Sequence, residues 1–151
     1  DARGTLTQRT AGPRCISETL LDASGMKSGD EAGICAFQSH SGRIGVAVAP
    51  DGSRQIVLRR QEEILAAVPF TGDQVRLRIR YVFTPQGEGE EADTAFFGYS
   101  LDGAEWTEFP DTLRMRYTLD YFTGYRSALY SFASMEEGGT ADFDWFHQRV
   151  Y

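Results

Sequence analysis

The 151-residue chain is short of several things at once, and each shortage removes a class of explanation. Only two cysteines occur, Cys15 and Cys35, far apart and without His or Cys neighbours at metal-ligand spacing, which excludes a zinc cluster and a multiply cross-linked scaffold. They read as buried thiols, with a single disulfide between them as the alternative. No apolar run approaches the length that spans a bilayer as a helix, and no stretch carries a convincing helical period, although "RRQEEILAA" is a short candidate. Positive charge is scarce as well: 15 Lys and Arg face 22 Asp and Glu, a net charge of -7 that repels a phosphate backbone and argues against nucleic acid as a partner. Histidine is limited to His40 and His147, and neither has a second His or Cys close enough to suggest a metal or a nucleophile pair. "GDEAG" and "EGGTAD" are turn glycines without the strand, loop and helix that hold phosphates, and no serine sits in a Gly-x-Ser-x-Gly elbow. The opening "DARGTLTQRT" has no basic and apolar leader, so the expectation is a removed signal or a piece of a longer protein, and the compartment stays open between secreted, periplasmic and cytoplasmic.

What is present is alternation. In "QVRLRIRYVF", Val75, Leu77, Ile79, Tyr81 and Phe83 fall on one face and Arg76, Arg78, Arg80 and Val82 on the other, the mark of a half-buried strand. "GTLTQRT", "CISETLLDA", "EAGICAFQS", "GRIGVAVAP", "RQIVLRR", "EILAAVPF", "TAFFGYSL", "EWTEF", "YRSALYSF" and "ADFDWFHQR" read the same way, separated by turn signals such as Ser41-Gly42 and Thr71-Gly72-Asp73. One all-β domain spanning 1–151 follows, an antiparallel two-sheet sandwich or a barrel, with 41% hydrophobic residues to fill its core. Asp51-Gly52 and Asp102-Gly103 should each close a tight hairpin with positive φ at the glycine. "TPQGEGEEADT" reads as a mobile, solvated acidic loop; a structural calcium ion there is the weaker alternative, because the carboxylates lack the spacing of a calcium loop.

Candidate chemistry is thin. Asp142 and Asp144 share a face in "ADFDWF", but carboxylates two apart on one strand lie only about 7 Å apart on the same side, whereas glycoside cleavage needs them flanking a bond. The surplus of aromatics and arginines is more informative. Pyranose rings present apolar C–H faces to Tyr, Trp or Phe while their hydroxyls seek fixed donors and acceptors. Tyr99, Trp106, Tyr121, Phe122 and Tyr125 are therefore stacking candidates, with Gln38, His40, Arg43 and Arg126 as hydrogen-bonding candidates; Phe37, Phe83, Phe97 and Phe143 are assigned to the core.

The order of "LTQRTAGP", "GDEAGICAFQSHSGRIGVAV", "VRLRIRYVF", "AFFGYSLDGAEWTEF", "YTLDYFTGYRSALYSFAS" and "GGTADFDWF", from Leu6 to Phe146, resembles the C-terminal concanavalin A-like domain of β-xylosidases and α-L-arabinofuranosidases of glycoside hydrolase family 43. The resemblance implies a jelly-roll β-sandwich that follows a five-bladed propeller, with all three catalytic carboxylates on the propeller. This chain is then not itself an enzyme and needs no cofactor. Its partners would be the catalytic domain of its parent and xylan or xylo-oligosaccharides, since such domains are also grouped as carbohydrate-binding module family 91, and no membrane is implied. The resemblance further implies that "YFTG" forms the loop reaching the active-site mouth, with Phe122 as the projecting aromatic and Tyr121 beside it. Two positions depart from the family pattern: His40 stands where an aromatic is expected and Ser127 where a phenylalanine is expected. Three functions follow: a xylan-binding module, a structural domain that packs on the propeller and completes its pocket, or a small glycanase with the same sandwich.

Overall fold

A computed structural model describes residues 6–116, 124–135 and 137–151. Every regular element among them is a strand: β1 Leu6–Arg9, β2 Arg14–Asp22, β3 Asp30–Phe37, β4 Gly42–Val48, β5 Arg54–Arg60, β6 Glu63–Phe70, β7 Gln74–Val82, β8 Thr94–Ser100, β9 Thr107–Arg114, β10 Arg126–Ala133 and β11 Asp142–Val150. They form two antiparallel sheets, one ordered β1-β10-β3-β4-β5-β6 and the other β11-β2-β7-β8-β9, packed as a concanavalin A-like sandwich. The alternation in β7 does what the pattern requires: Val75, Leu77, Ile79 and Tyr81 are buried, while the three arginines between them face outward. Ala32, Ile34 and Ala36 of β3, Ile44 and Val46 of β4, and Ile56 and Leu58 of β5 meet them from the six-stranded sheet. Pro69 and Pro110 lie in β6 and β9, both at sheet edges, where a missing N–H leaves no ladder bond unmade.

The two Asp-Gly turns have glycine φ values of +86° at Gly52 and +79° at Gly103, as their sequences predict. Only the first is tight, since Ala49 N donates to Ser53 O at 2.8 Å. The second is a six-residue link organised by Asp102, whose Oδ1 accepts from Ala104 N and Glu105 N at 2.8 and 2.9 Å. Those bonds hold its carboxyl below the usual carboxylate range. "RRQEEILAA" is not helical: it supplies the end of β5, a turn with Gln61 at φ 53° and the start of β6. Gln61 N donates to Ser41 O at 2.9 Å, so pairing with a neighbouring turn replaces the helical bond. The acidic loop is exposed over most of its length, as its composition suggests, but the Glu90 side chain is 18% exposed and pairs with both Arg14 and Arg80. Among the described residues no group of three or more acidic, His or Cys side chains is arranged to hold a metal ion.

Cys15 and Cys35 are free and buried in different sheets, and burial pushes the Cys35 thiol up to about 11. Ser127 explains its own departure from the family pattern. It is fully buried between the sheets, where Tyr81 Oη lies 2.7 Å from its Oγ, which in turn donates to Ser17 Oγ at 2.6 Å. A hydroxyl chain therefore stitches β7 and β2 to β10 where an aromatic would otherwise fill volume. Ser127→Ala should cost about 1–3 kcal/mol, because it strands the buried Tyr81 hydroxyl and leaves Ser17 only its 3.5 Å bond to Gln148 Oε1. Urea denaturation of Ser127→Ala and of Ser127→Ala/Tyr81→Phe checks this: the double variant should recover part of the loss, and wild-type stability of the single variant would refute the role given to the chain.

Candidate functional site

Strand direction sorts the sequence candidates into two groups. The turns 38–41 and 61–62 lie at one end of the six-stranded sheet, together with Arg114 and Arg126, which flank the 115–125 connection. The turns 49–53 and 101–106 lie at the opposite end. Gln38, His40, Arg43 and Arg126 belong to the first end; Trp106 is at the second, and Tyr99 points from β8 into the core beside Phe109, ring centroids 5.6 Å apart. Tyr121 and Phe122 lie outside the described residues.

Two of the aromatic assignments change. Tyr125 is 1% exposed, and its Oη accepts from Arg116 N at 3.1 Å, so its ring fills the core and offers no face to a sugar. Phe37, assigned to the core, is 53% exposed. Period-2 geometry gives the reason: with Ile34 and Ala36 inward and buried, the next residue of β3 must point outward. Phe97 is buried as expected, and Phe83 and Phe143 pack partly against the core. At the first end Phe37, which closes β3 just before the His40 turn, and Ile64, at the start of the edge strand β6, are both 53% exposed, and a 380 Å³ depression there is lined by His40, Arg60, Gln61, Glu62 and Glu63. The His40 Nδ1 is buried with no hydrogen-bond partner among the described residues.

Trp106 is capped by the Arg78 guanidinium, 4.3 Å from its ring centroid, and Arg80 and Arg76 cover Phe96 and Trp145 in the same way at 4.1 and 5.4 Å. The arginines of β7 thus close over the aromatics of this face. Burial lowers the Arg78 pKa, with Glu108 at 3.8 Å only partly compensating.

Sequence reasoning missed the most organised polar group. On the outer face of the six-stranded sheet Glu31 is 4% exposed and accepts from Arg43 Nε and Arg59 Nε, both at 3.0 Å, and from Tyr130 Oη at 3.1 Å. Arg43 also donates to Gln61 O at 2.8 Å and to Glu62 at 3.3 Å. Burial opposes the charge on Arg43, but hydrogen bonding and attraction to Glu31 outweigh it and hold the guanidinium above its ordinary range. Tyr130 can lie flat there because Gly33 and Gly45, paired across β3 and β4, leave a trough. The available signal was the coincidence of Gly33 and Gly45 opposite an outward Tyr, but it depends on register, which alternation alone leaves open. Beside this hub lies a 290 Å³ cleft lined by Glu31, Arg43, Ala47, Arg59, Phe132 and Met135, among others.

Comparison with known proteins matches this geometry. A family model described as "Beta xylosidase C-terminal Concanavalin A-like domain" matches residues 1–149. A beta-xylosidase of Formosa agariphila is 26% identical over 146 residues, 96% of this chain and 23% of that protein. Among solved structures, a bifunctional GH43-CE protein of Bacteroides eggerthii superposes with a TM-score of 0.87 at 39% identity, covering 98% of this chain and 19% of its own. An engineered GH43 glycoside hydrolase, described as displaying both endo-xylanase and exo-arabinofuranosidase activity, superposes with a TM-score of 0.86 at 30% identity, covering 99% and 31% respectively. The chain thus spans less than a third of the length of each of these relatives.

Proposed function

Because the chain belongs to the family of C-terminal concanavalin A-like domains of beta-xylosidases, we propose that it is a non-catalytic accessory domain that packs on the catalytic domain of a xylan-directed glycoside hydrolase and completes its substrate pocket. The observation that carries this reading is the end of the sandwich flanking the 115–125 connection. Phe37 on β3 and Ile64 on β6 are exposed at that end, with the polar residues of the 38–41 and 61–62 turns between them, an arrangement suited to separate apolar contacts with a polar surround. In this reading Phe122 enters the mouth of the pocket and Tyr121 supports it. The relatives' remaining length leaves room for the catalytic part, and their names supply the substrate class. A glycanase reading has less support, because Asp142 and Asp144 stand exposed on the edge strand β11 rather than across a cleft.

The test is made in the full-length enzyme that contains this domain. Phe122→Ala should lower kcat/KM on xylobiose by about tenfold or more, since a positioning contact at the pocket mouth acts on the bound substrate. Full activity of that variant would overturn the proposal. Binding of xylan by the domain itself is a second reading, supported by a different face of the molecule.

A further inference from the structure

The 290 Å³ cleft beside Glu31 does not end at its own rim. A 690 Å³ depression lined by Asp30, Ser131, Phe132, Ala133, Ser134, Glu137 and Gly139 shares Asp30, Phe132 and Ser134 with it, so the two adjoin at the Phe132 side chain. That ring is half-buried and held in place, with Tyr130 stacked 6.1 Å away and the Arg43 guanidinium 5.7 Å from its centroid. A fixed aromatic in a groove is a preformed platform that loses little entropy when a ligand stacks on it.

Charge limits what can lie there. The lining contributes four carboxylates, Asp30, Glu31, Glu62 and Glu137, against two guanidiniums, Arg43 and Arg59, which disfavours phosphates and uronic acids. Hydrogen-bonding capacity is nevertheless available. Asp30 is only 7% exposed; Oδ2 accepts from Lys27 N at 2.8 Å, whereas Oδ1 is itself buried and has no donor among the described residues, an acceptor that a small shift of the wall would present to a hydroxyl. Arg59 commits Nε to Glu31 and Nη1 to the Glu62 carbonyl, and Ser134 Oγ donates to Gly29 O while keeping acceptor capacity. The lining therefore combines one aromatic face, an acceptor without a donor and a net negative charge.

We propose that this groove binds a neutral, unbranched β-glycan chain, one sugar ring stacking on Phe132 and neighbouring hydroxyls meeting Asp30, Arg59 and Ser134. The choice of neutral over acidic sugars comes from the groove itself; the choice of xylose units rests on the accessory reading above. The site lies at residues other than the stacking candidates of the sequence; it borders the docking end at Arg43 and Glu62 but is centred on Phe132, and its test uses the isolated chain rather than Phe122 in the parent enzyme, so the two ideas can fail separately.

The experiment is an NMR and calorimetric titration of the 151-residue chain with xylohexaose, cellohexaose and a glucuronic acid-bearing xylohexaose. The expected result is saturable binding of a neutral hexasaccharide, with amide shifts at 29–31, 47 and 131–134. Phe132→Leu and Phe132→Ala should weaken it by about tenfold, Leu101→Ala in the link between β8 and β9 should leave it unchanged, and the acidic sugar should bind more weakly. Binding of cellohexaose without xylohexaose would support the groove and count against the xylan assignment. Absence of binding to both neutral sugars, wild-type affinity of Phe132→Leu, or tighter binding of the acidic sugar would overturn the proposal.

Discussion

Glu31→Gln is expected to destabilise the protein by about 3–5 kcal/mol, the range for breaking a buried ion pair from one side. The near-isosteric amide keeps the volume but leaves Arg43 and Arg59 facing a neutral group, and their side chains are only 14% and 20% exposed. Tyr130 keeps an acceptor of lower strength. Arg43 can lean further on Glu62, which is 91% exposed, and that alternative puts the expected loss at the lower end of the range. For a domain of this size the midpoint of thermal unfolding should fall by about 2–4 °C per kcal/mol, so a drop near 10 °C is the expected reading. If Glu31→Gln stays within about 1 kcal/mol of the wild type, the cluster has the energetics of a surface pair despite its burial. The groove prediction would survive that result, but the claim that the hub fixes its wall would not.

Legibility in the sequence followed periodicity. Each strand that alternation marked is present, because burying one face of a strand forces a period of two, and the resemblance assigned the sandwich type. What alternation leaves open is which strands adjoin, and the candidate residues divide on that point. Tyr99 and the link that carries Trp106 belong to the five-stranded sheet, whereas Arg43 and the turn that carries His40 belong to the six-stranded one, and Tyr125 turned inward because a ring at the entry to β10 can close that end of the core. Phe37 shows the same limit from the other side: hydrophobicity suggested burial, but strand parity placed it in solvent. Glu31 was illegible for a further reason. Its partners come from β4, β5 and β10, so only the register that brings Arg43, Arg59 and Tyr130 within reach reveals it as a buried acid. A carboxylate followed by "AGICAF" otherwise reads as an ordinary strand start.

Gly45→Ala carries the second large effect, and its cause is steric rather than conformational. A Cβ at this position would lie 2.3 Å from Ala32 O and 2.4 Å from Tyr130 Oη, both far inside contact distance. Tyr130 can swing away only by giving up its bond to Glu31, and the Ala32 carbonyl can move only by distorting the β3–β4 ladder. The expected loss is about 3 kcal/mol or more, the overpacking penalty together with a hydrogen bond to a charged group. Gly52→Ala provides the contrast: φ is +86°, yet nothing lies within 4 Å of the added Cβ, so only the backbone term of about 1 kcal/mol applies. Urea denaturation of both variants, with Gly45→Ala repeated in a Tyr130→Leu background, separates the contributions. Relief of part of the Gly45→Ala loss in that background would assign that part to the ring lying in the glycine trough. Equal losses for Gly45→Ala and Gly52→Ala would mean that the trough is not closely packed, and that Tyr130 and the Phe132 ring stacked on it are free to move when a ligand enters.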